Sequence, residues 1–430
     1  MSDKTKQIKL STEAYKGVRD FFPAEMAIEK HIFNIWRSVC EKYGYEEYTA
    51  SVLEPAELYR AKSGEEIVNE QTYTFTDRGD REVTLRPEMT PTVARMVAAR
   101  KRELVFPVRW FSIPNLFRYE NPQRGRVREH WQLNVDIFGV ESIQAEVETM
   151  QMAYEITKLY GLKDENFEIK VNNRKLMNFI MKDMLSLGDD AAYKLSKLID
   201  KKDKIKAEQF DITAKEIIGA KADSFISLIN AKNFAELKKN LGDTGAAHES
   251  LTEISTVIDG LAKLGITNVR FDQTLMRGFD YYTGIVFEVF DLNPANRRSV
   301  FGGGRYDDLL SLFGGEKVPA VGFGAGDVVA KDLMETYGTL PKTLGSSAKI
   351  CICTMGEHNL VYSLALAKKI RDAGTSVVVD MSDKKIGDQI KNAVKRGVQK
   401  VIVIGDEEVK SGKLKIKDLA TSKEEAFPNA

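Results

Sequence analysis

The chain has 430 residues, which is more than one hydrophobic core usually holds, so we expect two or three domains. With 43% hydrophobic and 29% charged residues, the composition is typical of a globular protein and excludes a disordered or fibrous one. Lysine plus arginine and aspartate plus glutamate both number 63, so no excess of positive charge indicates a nucleic-acid partner.

The sequence shows no feature of export or membrane insertion. No apolar run is long enough to cross a bilayer, and the opening MSDKTKQIKL lacks the apolar segment of a signal peptide. Cys351 and Cys353 stand in an apolar stretch, which favours buried strand residues over a zinc site. We therefore expect a cytoplasmic protein. The four histidines are scattered, so we expect no metal-ligating residues.

The first predicted element is a helix that begins near Pro23 and ends before Gly44, since proline favours the start of a helix and glycine its end. Ile32 and Trp36 lie on one stripe of this helix, so it packs against another element. The segment YEEYTASVLEP then predicts a strand that ends at Pro55.

The rest of the chain changes texture several times. Residues 83–140 alternate and carry aromatics, which predicts antiparallel sheet, whereas residues 172–260 are rich in Lys, Asp, Ala and Leu and predict a mostly helical insertion. Strand texture returns from NVRFDQTLMRGFDYYTGIVFEVFD to FGGGRYDDLL, and TLPKTLGSS near 339–347 is typical of a linker. A β-α-β-α-β pattern with a parallel sheet follows. We therefore expect two domains, residues 1–345 and 346–430.

Basic residues concentrate in the middle of the predicted sheet. Residues 95–128 contain nine lysines and arginines against two glutamates, and aromatics are interleaved with them. Such a run can be a solvated face, but arginine predominates, and the guanidinium fork matches phosphate oxygens. Because the run coincides with the motifs below, it indicates phosphate binding.

The strand HWQLNVDIFG carries polar residues on one face. Gln132, Asn134 and Asp136 alternate with apolar residues, so two amides and a carboxylate would meet a small polar ligand with N–H groups. An ordinary half-exposed strand would show the same pattern. Just upstream, Arg118 and Glu120 share a strand face before an arginine-rich turn, an arrangement suited to a nucleoside triphosphate.

These segments carry a family resemblance. FRYENPQRGRVREHWQLNVDIFG resembles motif 2 of the class II aminoacyl-tRNA synthetases in its histidyl form, and TLRPEMTPTVARM resembles the segment that holds the amino acid's α-amino group. LMRGFDYYTGIVFEVF and FGGGRYD resemble the two histidine-specific motifs of that family. GVRDFFP is similar to the family's opening, and the region around Pro55 resembles the dimer-forming motif 1. The resemblance to the histidyl-tRNA synthetase family covers residues 15–425.

The resemblance implies an α+β fold, in which an antiparallel sheet flanked by helices carries a helical insertion and a C-terminal α/β anticodon-binding domain. It implies a histidine–tRNA ligase that activates L-histidine with ATP and Mg²⁺ to histidyl-adenylate. The enzyme would then transfer histidine to the 3′ end of tRNA(His) in protein biosynthesis. A homodimer is also implied.

The resemblance also implies site residues. Those for histidine would be Glu88, Met89, Thr90, Gln132, Asp136, Tyr281 and Tyr282. Those for ATP would be Arg118, Glu120, Arg126 and Arg277, of which Arg118 and Arg277 would be catalytic at the α-phosphate. Those for the tRNA acceptor end would be Gln123 and Arg128.

Three positions depart from the family pattern. Asp136 stands where the family often has glutamate, and Asn121 where many relatives have arginine. Val329 falls where the arginine of motif 3 stacks on adenine, two residues after Asp327, which we expect to cap the helix. We therefore expect weaker ATP binding without loss of the chemistry.

Two other classes of protein fit the sequence less well. A catalytically weak or inactive synthetase-like paralogue, with a regulatory or tRNA-sensing role, would tend to lose motif residues, whereas Glu88, Arg118 and Arg277 are all present. An unrelated P-loop or dinucleotide enzyme is disfavoured because GGGRYD lacks the Lys-Ser/Thr of a P-loop and VGFGAGD has the wrong glycine spacing.

Overall fold

The computed structural model describes residues 10–60, 71–199, 201–202, 205–231, 234–241, 245–276, 281–296, 299–341 and 346–427. Contacts between residues divide the chain into two compact units, Met1–Leu340 and Pro341–Ala430. None of the helices in the described ranges is long and apolar enough to cross a membrane.

The helices of the first unit are α1 (Pro23–Lys42), α2 (Glu57–Arg60), α3 (Thr90–Arg100), α4 (Gln144–Leu159), α5 (Arg174–Asn178), α6 (Asp189–Ile199), α7 (Ala207–Ile218), α8 (Ala222–Ile229), α9 (Phe234–Leu241), α10 (Gly245–Lys263) and α11 (Asp327–Thr336). Its strands are β1 (Glu46–Glu47), β2 (Leu53–Pro55), β3 (Tyr73–Thr76), β4 (Glu82–Leu85), β5 (Val108–Ser112), β6 (Asn115–Phe117), β7 (Glu129–Phe138), β8 (Phe167–Asn173), β9 (Val269–Phe271), β10 (Ile285–Asp291), β11 (Ser299–Arg305) and β12 (Ala320–Gly326).

A large sheet forms the centre of the first unit. Its strand order within the described residues is β1-β5-β7-β12-β11-β10-β8-β9, with β6 paired to β7. The strands from β5 to β8 in this order are antiparallel, and β1 and β9 join the two edges in parallel. The α+β architecture predicted from the sequence is confirmed.

Helices cover one face of this sheet. Leu133, Val135 and Ile137 of β7 are buried in one hydrophobic cluster with Trp36 of α1 and Met150 of α4. Burying this face removes apolar surface from water and leaves the polar residues of β7 on the opposite face. The alternation predicted for HWQLNVDIFG is therefore confirmed.

One stretch of the predicted sheet is wrong. Residues 90–100 form helix α3 instead of a strand. Pro91 stands at the start of this helix, and the buried residues Val93, Ala94 and Val97 recur at helical spacing. A local spacing of three and four residues therefore prevailed over the strand texture on either side. A small antiparallel sheet, β2-β4-β3, precedes the helix.

The insertion is helical as predicted. It follows β8, which ends at Asn173, and comprises α5 to α10, with α5 continuing into a π-helical turn at Phe179–Met184. Asn173 caps α5 by accepting a hydrogen bond from the backbone N–H of Lys175.

The second unit comprises β13 (Ile350–Thr354), α12 (Leu360–Asp372), β14 (Val377–Asp380), α13 (Ile386–Lys395), β15 (Lys400–Ile404), α14 (Asp406–Ser411), β16 (Leu414–Asp418) and β17 (Glu424–Phe427). The predicted β-α-β-α-β pattern is confirmed, because β14, β13 and β15 pair in parallel. Beyond this parallel part, β16 and β17 extend the sheet in antiparallel fashion, which the sequence did not predict.

Candidate active site

The polar face of β7 lies next to the glycines Gly322 and Gly324 of the neighbouring strand β12, which we call the glycine floor. In the antiparallel register, Asp136 is opposite Gly322 and Asn134 is opposite Gly324. A Cβ atom at Gly322 would come within 2.3 Å of Asp136 Oδ1 and 2.6 Å of the Val135 carbonyl oxygen. No side chain larger than hydrogen fits there, so the glycine leaves room for the carboxylate of Asp136.

Asp136 and Tyr306 form a buried pair at this floor. The Tyr306 hydroxyl donates a short hydrogen bond to Asp136 Oδ1, while Asp136 Oδ2 is buried and has no hydrogen-bond partner among the described residues. Burial raises the pKa of Asp136 to about 7, and the hydrogen bond from Tyr306 opposes this rise. The pair leaves one carboxylate oxygen to accept an N–H group.

Glu88, Thr90 and Tyr281 meet beside this pair. The Tyr281 hydroxyl donates to Glu88 Oε2 at 3.1 Å and lies 3.4 Å from Thr90 Oγ1. The ring centroids of Tyr281 and Tyr306 are 5.7 Å apart in an edge-to-face arrangement, and those of Tyr281 and Tyr282 are 5.0 Å apart. An acceptor-rich group thus stands next to aromatic walls. Met89 is buried directly before α3.

A cavity of about 250 Å³ adjoins the polar face of β7. Residues of β7, β11, β12, the arginine-rich hairpin and the first turn of α11 line it: Arg118, Glu120, Gly125, Arg126, Val127, His130, Gln132, Ser299, Val300, Phe301, Gly324, Gly326, Asp327, Val328 and Val329. The cavity therefore brings together four predicted residues, Arg118, Glu120, Arg126 and Gln132.

The charges in this cavity are held by the backbone and by one another. Arg118 Nε donates to the Pro87 carbonyl oxygen at 2.8 Å, which orients its guanidinium group. Glu120 Oε2 lies 3.5 Å from Nη1 of the exposed Arg126 and accepts no hydrogen bond from the described residues. A single carboxylate oxygen of this kind is a hard ligand that Mg²⁺ accepts together with phosphate oxygens, and the described residues contain no group of three or more metal-ligating side chains.

The two residues predicted to contact the tRNA acceptor end differ in setting. Gln123 is exposed at the tip of the hairpin, where its backbone pairs with that of Arg126. Arg128 is buried, and its guanidinium group lies 3.9 Å from the centroid of the Tyr119 ring and donates to the Tyr15 hydroxyl. Its contacts are thus with the protein. The predicted catalytic residue Arg277 lies outside the described residues.

Val329 lies in the first turn of α11 and lines the cavity. Asp327 is the first residue of the helix, and the expectation that it caps the helix is wrong, because Gly326 occupies that position. Its carboxylate instead accepts hydrogen bonds from the Trp131 backbone N–H at 3.0 Å and from Arg19 Nη2 at 2.6 Å.

Sequence reasoning missed three residues of this site. Tyr306 stands within the quoted FGGGRYD, but only the sheet brings it to Asp136. His130 lines the cavity, and burial together with Arg118 and Arg19 lowers its pKa to about 3, so its ring is neutral. Arg19 stands 308 positions before Asp327 in the sequence, yet its guanidinium group contacts the Asp327 carboxylate. Its place within the segment GVRDFFP was the available signal.

The antiparallel sheet, with an arginine-rich hairpin next to a glycine-rich strand that runs into a helix, defines a class II aminoacyl-tRNA synthetase catalytic unit. The family model for histidyl-tRNA synthetase matches residues 17–326, and that for an anticodon binding domain matches residues 349–428. The chain belongs to the histidyl-tRNA synthetase family.

Individual relatives agree with this assignment. The chain is 40% identical over 423 residues to a histidine–tRNA ligase of Leptospira biflexa, covering 98% of this chain and 96% of that one. It is 36% identical over 418 residues to a histidine–tRNA ligase of Thermoplasma volcanium, covering 97% and 96%. The fold is similar to the crystal structure of histidyl-tRNA synthetase from Nostoc sp. PCC 7120, with a TM-score of 0.82, 22% identity and 97% coverage of both chains.

Proposed function

We propose that the protein is a histidine–tRNA ligase, which activates L-histidine with ATP and transfers it to the 3′ end of tRNA(His). The observation that carries this proposal is the buried Asp136–Tyr306 pair. Asp136 lies on the same face of β7 as Gln132, and Gln132 lines the cavity that contains the arginines. A buried carboxylate that has one oxygen without a hydrogen-bond partner and lies next to aromatic rings suits an imidazole, which is planar and carries ring nitrogens.

Histidine recognition follows from the distribution of charge. Asp136 Oδ2 would accept the N–H of the imidazole, and Tyr306 would keep the carboxylate pointed at it. Glu88 and Thr90 would receive the ammonium group, with Met89 at their side and Tyr281 orienting Glu88. Gln132 would contact the amino acid's backbone groups. Analogues without a ring N–H would leave buried polar atoms unpaired and be rejected.

Activation requires stabilisation of negative charge at the α-phosphate. The histidine carboxylate attacks the α-phosphorus, a P–O bond forms, and pyrophosphate leaves with the electrons of the broken bond. Arg118 and Arg277 would bind the α-phosphate oxygens and Arg126 the outer phosphates, since fixed guanidinium groups stabilise developing charge without reorganisation. No proton acceptor is needed in this step.

Glu120 would hold Mg²⁺ together with the phosphates of ATP. The bound ion would supply further neutralisation of phosphate charge. Because Glu120 also lies next to Arg126, it would position that arginine at the outer phosphates.

The transfer step needs the tRNA to reach the same site. Gln123, at the tip of the hairpin, is exposed enough to contact the acceptor end, and Arg128 would support the hairpin from beneath. The domain formed by residues 346–430 would bind the anticodon. The protein would act as a homodimer in the cytoplasm. A regulatory paralogue is not favoured, because relatives named as ligases match nearly the whole chain.

Pyrophosphate exchange tests the proposal. The purified protein is incubated with ATP, Mg²⁺, labelled pyrophosphate and each of the twenty amino acids in turn. We expect label to enter ATP only with histidine. Exchange with another amino acid at an equal rate, or none with histidine, would refute the assignment. Binding of histidine without exchange would instead support the regulatory paralogue.

A further inference from the structure

The N-terminal segment 15–21 contacts both walls of the cavity that we assign to ATP. On the hairpin side, the Arg128 backbone N–H donates to the Gly17 carbonyl oxygen at 2.6 Å, and Arg128 Nη1 donates to the Tyr15 hydroxyl at 3.0 Å. Gly17 has a φ of +88°, and a Cβ atom there would lie 2.7 Å from Arg128 Cγ. The contact is therefore too close for any residue but glycine.

On the helix side, Arg19 joins three elements. Its Nη2 donates to Asp327 Oδ2 at 2.6 Å and lies 3.5 Å from the Glu129 carbonyl oxygen, while its Nη1 lies 3.9 Å from Glu29 Oε1. The segment, helix α1, strand β7 and the first turn of α11 thus meet at one guanidinium group. Phe21 extends the contact by packing edge-to-face against Trp131.

Two buried carboxylates lie near the guanidinium group of Arg19 at this junction. The side chains of Asp327 and Glu29 are 0% and 3% exposed, so both carboxylates lie in the interior next to one arginine. Burial and the charge of Asp327 together raise the pKa of Glu29 to about 7, and burial also raises the pKa of Asp327. The other groups that face the pair are Lys331 of α11, the neutral His130 of β7 and the Tyr160 hydroxyl after α4.

We infer that Arg19 is a positioning residue for ATP, because it holds the first turn of α11 against β7 by neutralising Asp327 and Glu29. Asp327 and Val329 line the cavity on that turn, and His130 lines it from β7. Removal of the guanidinium would leave two uncompensated buried carboxylates, which repel each other and would move α11 away from β7. Arg19 itself is not among the residues that line the cavity, so it would act through Asp327. The inference rests on the proposed function only for the identity of the ligand.

The test compares Arg19→Ala with the double variant Arg19→Ala/Glu29→Gln, which removes one cation and one carboxylate together. The Kd for MgATP is measured by equilibrium dialysis without histidine, at about pH 6 and about pH 9, because the charge of Arg19 lowers the pKa of both carboxyl groups and its removal moves their titration to higher pH. KM values for ATP and histidine follow from pyrophosphate exchange. Arg109→Ala is the matched control, because Arg109 forms a half-buried bridge to Glu148 at 2.9 Å in the same unit and does not line the cavity.

We expect Arg19→Ala to raise the Kd and KM for ATP about 3- to 30-fold at the higher pH while the KM for histidine stays near that of the wild type. At the lower pH the pair retains a proton, repulsion falls, and the Kd should move back toward the wild-type value. Glu29→Gln in the double variant removes the repulsion but leaves Asp327 without Arg19, so it should recover part of the ATP binding at the higher pH. The control should leave the Kd for ATP unchanged.

Several results would overturn the inference. An unchanged Kd in Arg19→Ala, an equal loss at both pH values, or a double variant that binds ATP as weakly as the single one would each do so. If Arg19→Ala does not fold, the double variant decides alone: a raised Kd for ATP supports the inference, and a wild-type Kd contradicts it. Failure of the proposed function would appear separately, as absent exchange in the wild-type protein, and leaves the ATP-binding measurement intact.

Discussion

The carboxyl group of Asp136 is enclosed between β7 and Tyr306, and burial raises its pKa from an ordinary 3.8 to about 7. The unfolded chain releases this proton near pH 4, whereas the folded chain keeps it until about pH 7. Folding therefore takes up a proton between these values, and the free energy of unfolding falls as the pH rises through this window. Above it the buried carboxylate costs roughly 4 kcal/mol of stability.

Asp136→Asn should separate stability from recognition. We expect its thermal midpoint at pH 8 to exceed that of the wild type, with a smaller difference near pH 5, because the substitution removes the buried charge. The KM for histidine should rise roughly 10- to 150-fold through loss of a charged hydrogen-bond acceptor. Scanning calorimetry and pyrophosphate exchange measure the two effects.

The control for this prediction is Asp164→Asn. Asp164 is an exposed partner of Lys158 and Tyr154, and the hydrogen bonds from these two residues lower its pKa. Its loss should leave histidine activation unchanged and should not stabilise the protein. A wild-type KM for histidine in Asp136→Asn would contradict the role of this carboxylate in the pocket.

The residue at position 329 determines whether a cation can stack on the adenine ring of ATP. Val329 lies in the wall of the cavity where the family carries an arginine, and a cation–π stack on adenine contributes about 0.5–2 kcal/mol. We therefore expect this protein to have a higher KM for ATP than relatives with an arginine at this position, and a similar kcat. Val329→Arg should lower this KM about 2- to 30-fold. Val329→Lys, which adds charge without a planar group, should lower it less, and equal effects of the two variants would count against stacking.

At the scale of elements, the glycines of β12 determine what fits next to the polar side chains of β7. Gly322 and Gly324 lie on the same face of β12, but their surroundings differ. A Cβ at Gly322 would meet Asp136 Oδ1 at 2.3 Å and backbone at 2.6 Å, whereas the three atoms nearest to one at Gly324 all belong to the Gln132 side chain, at 3.0 Å or more. The effects of an alanine substitution at the two positions can therefore be compared with each other.

Gly322→Ala should displace Asp136, and we expect the KM for histidine to rise at least about tenfold, since off-geometry hydrogen bonds lose about 1.4 kcal/mol or more. The Kd for ATP in the absence of histidine should change less. Gly324→Ala should have the smaller effect on histidine, because Gln132 can rotate away. The ranking is measured by exchange kinetics, and a reversed order of the two variants would show that the floor does not position Asp136.

At the scale of the whole molecule, each of the two compact units contains its own hydrophobic cores. Ile352, Ile370 and Ile402 belong to one cluster in the second unit, and Trp36, Val135 and Leu333 belong to the main cluster of the first. Separate cores allow each unit to fold alone. The candidate active site lies within the first unit.

Removal of residues 346–430 should therefore weaken tRNA charging far more than amino-acid activation. Charging loses the proposed anticodon contact, whereas the residues that line the ATP cavity and the Asp136–Tyr306 pair remain. Charging rates with tRNA(His) and exchange rates on the same truncated protein make the comparison. A comparable loss of both activities in a folded truncation would contradict the anticodon-binding role.

The sequence by itself determined the class of fold, the helical insertion, the polar face of β7 and the family. These depend on the periodicity of apolar residues and on short motifs, which are local properties of the chain. It misjudged residues 90–100, where helical spacing stood within strand texture, and it did not predict the antiparallel strands that follow the parallel core of the second sheet.

Only the tertiary structure decided which distant residues meet. Tyr306 reaches Asp136 from 170 positions away, and Arg19 reaches Asp327 from 308 positions away, through the order of strands in the sheet and the packing of helix α11. The pKa of Asp136 likewise follows from burial, which no local pattern contains. Spacing along a chain specifies which face a side chain occupies, but contact and desolvation depend on what folds against that face.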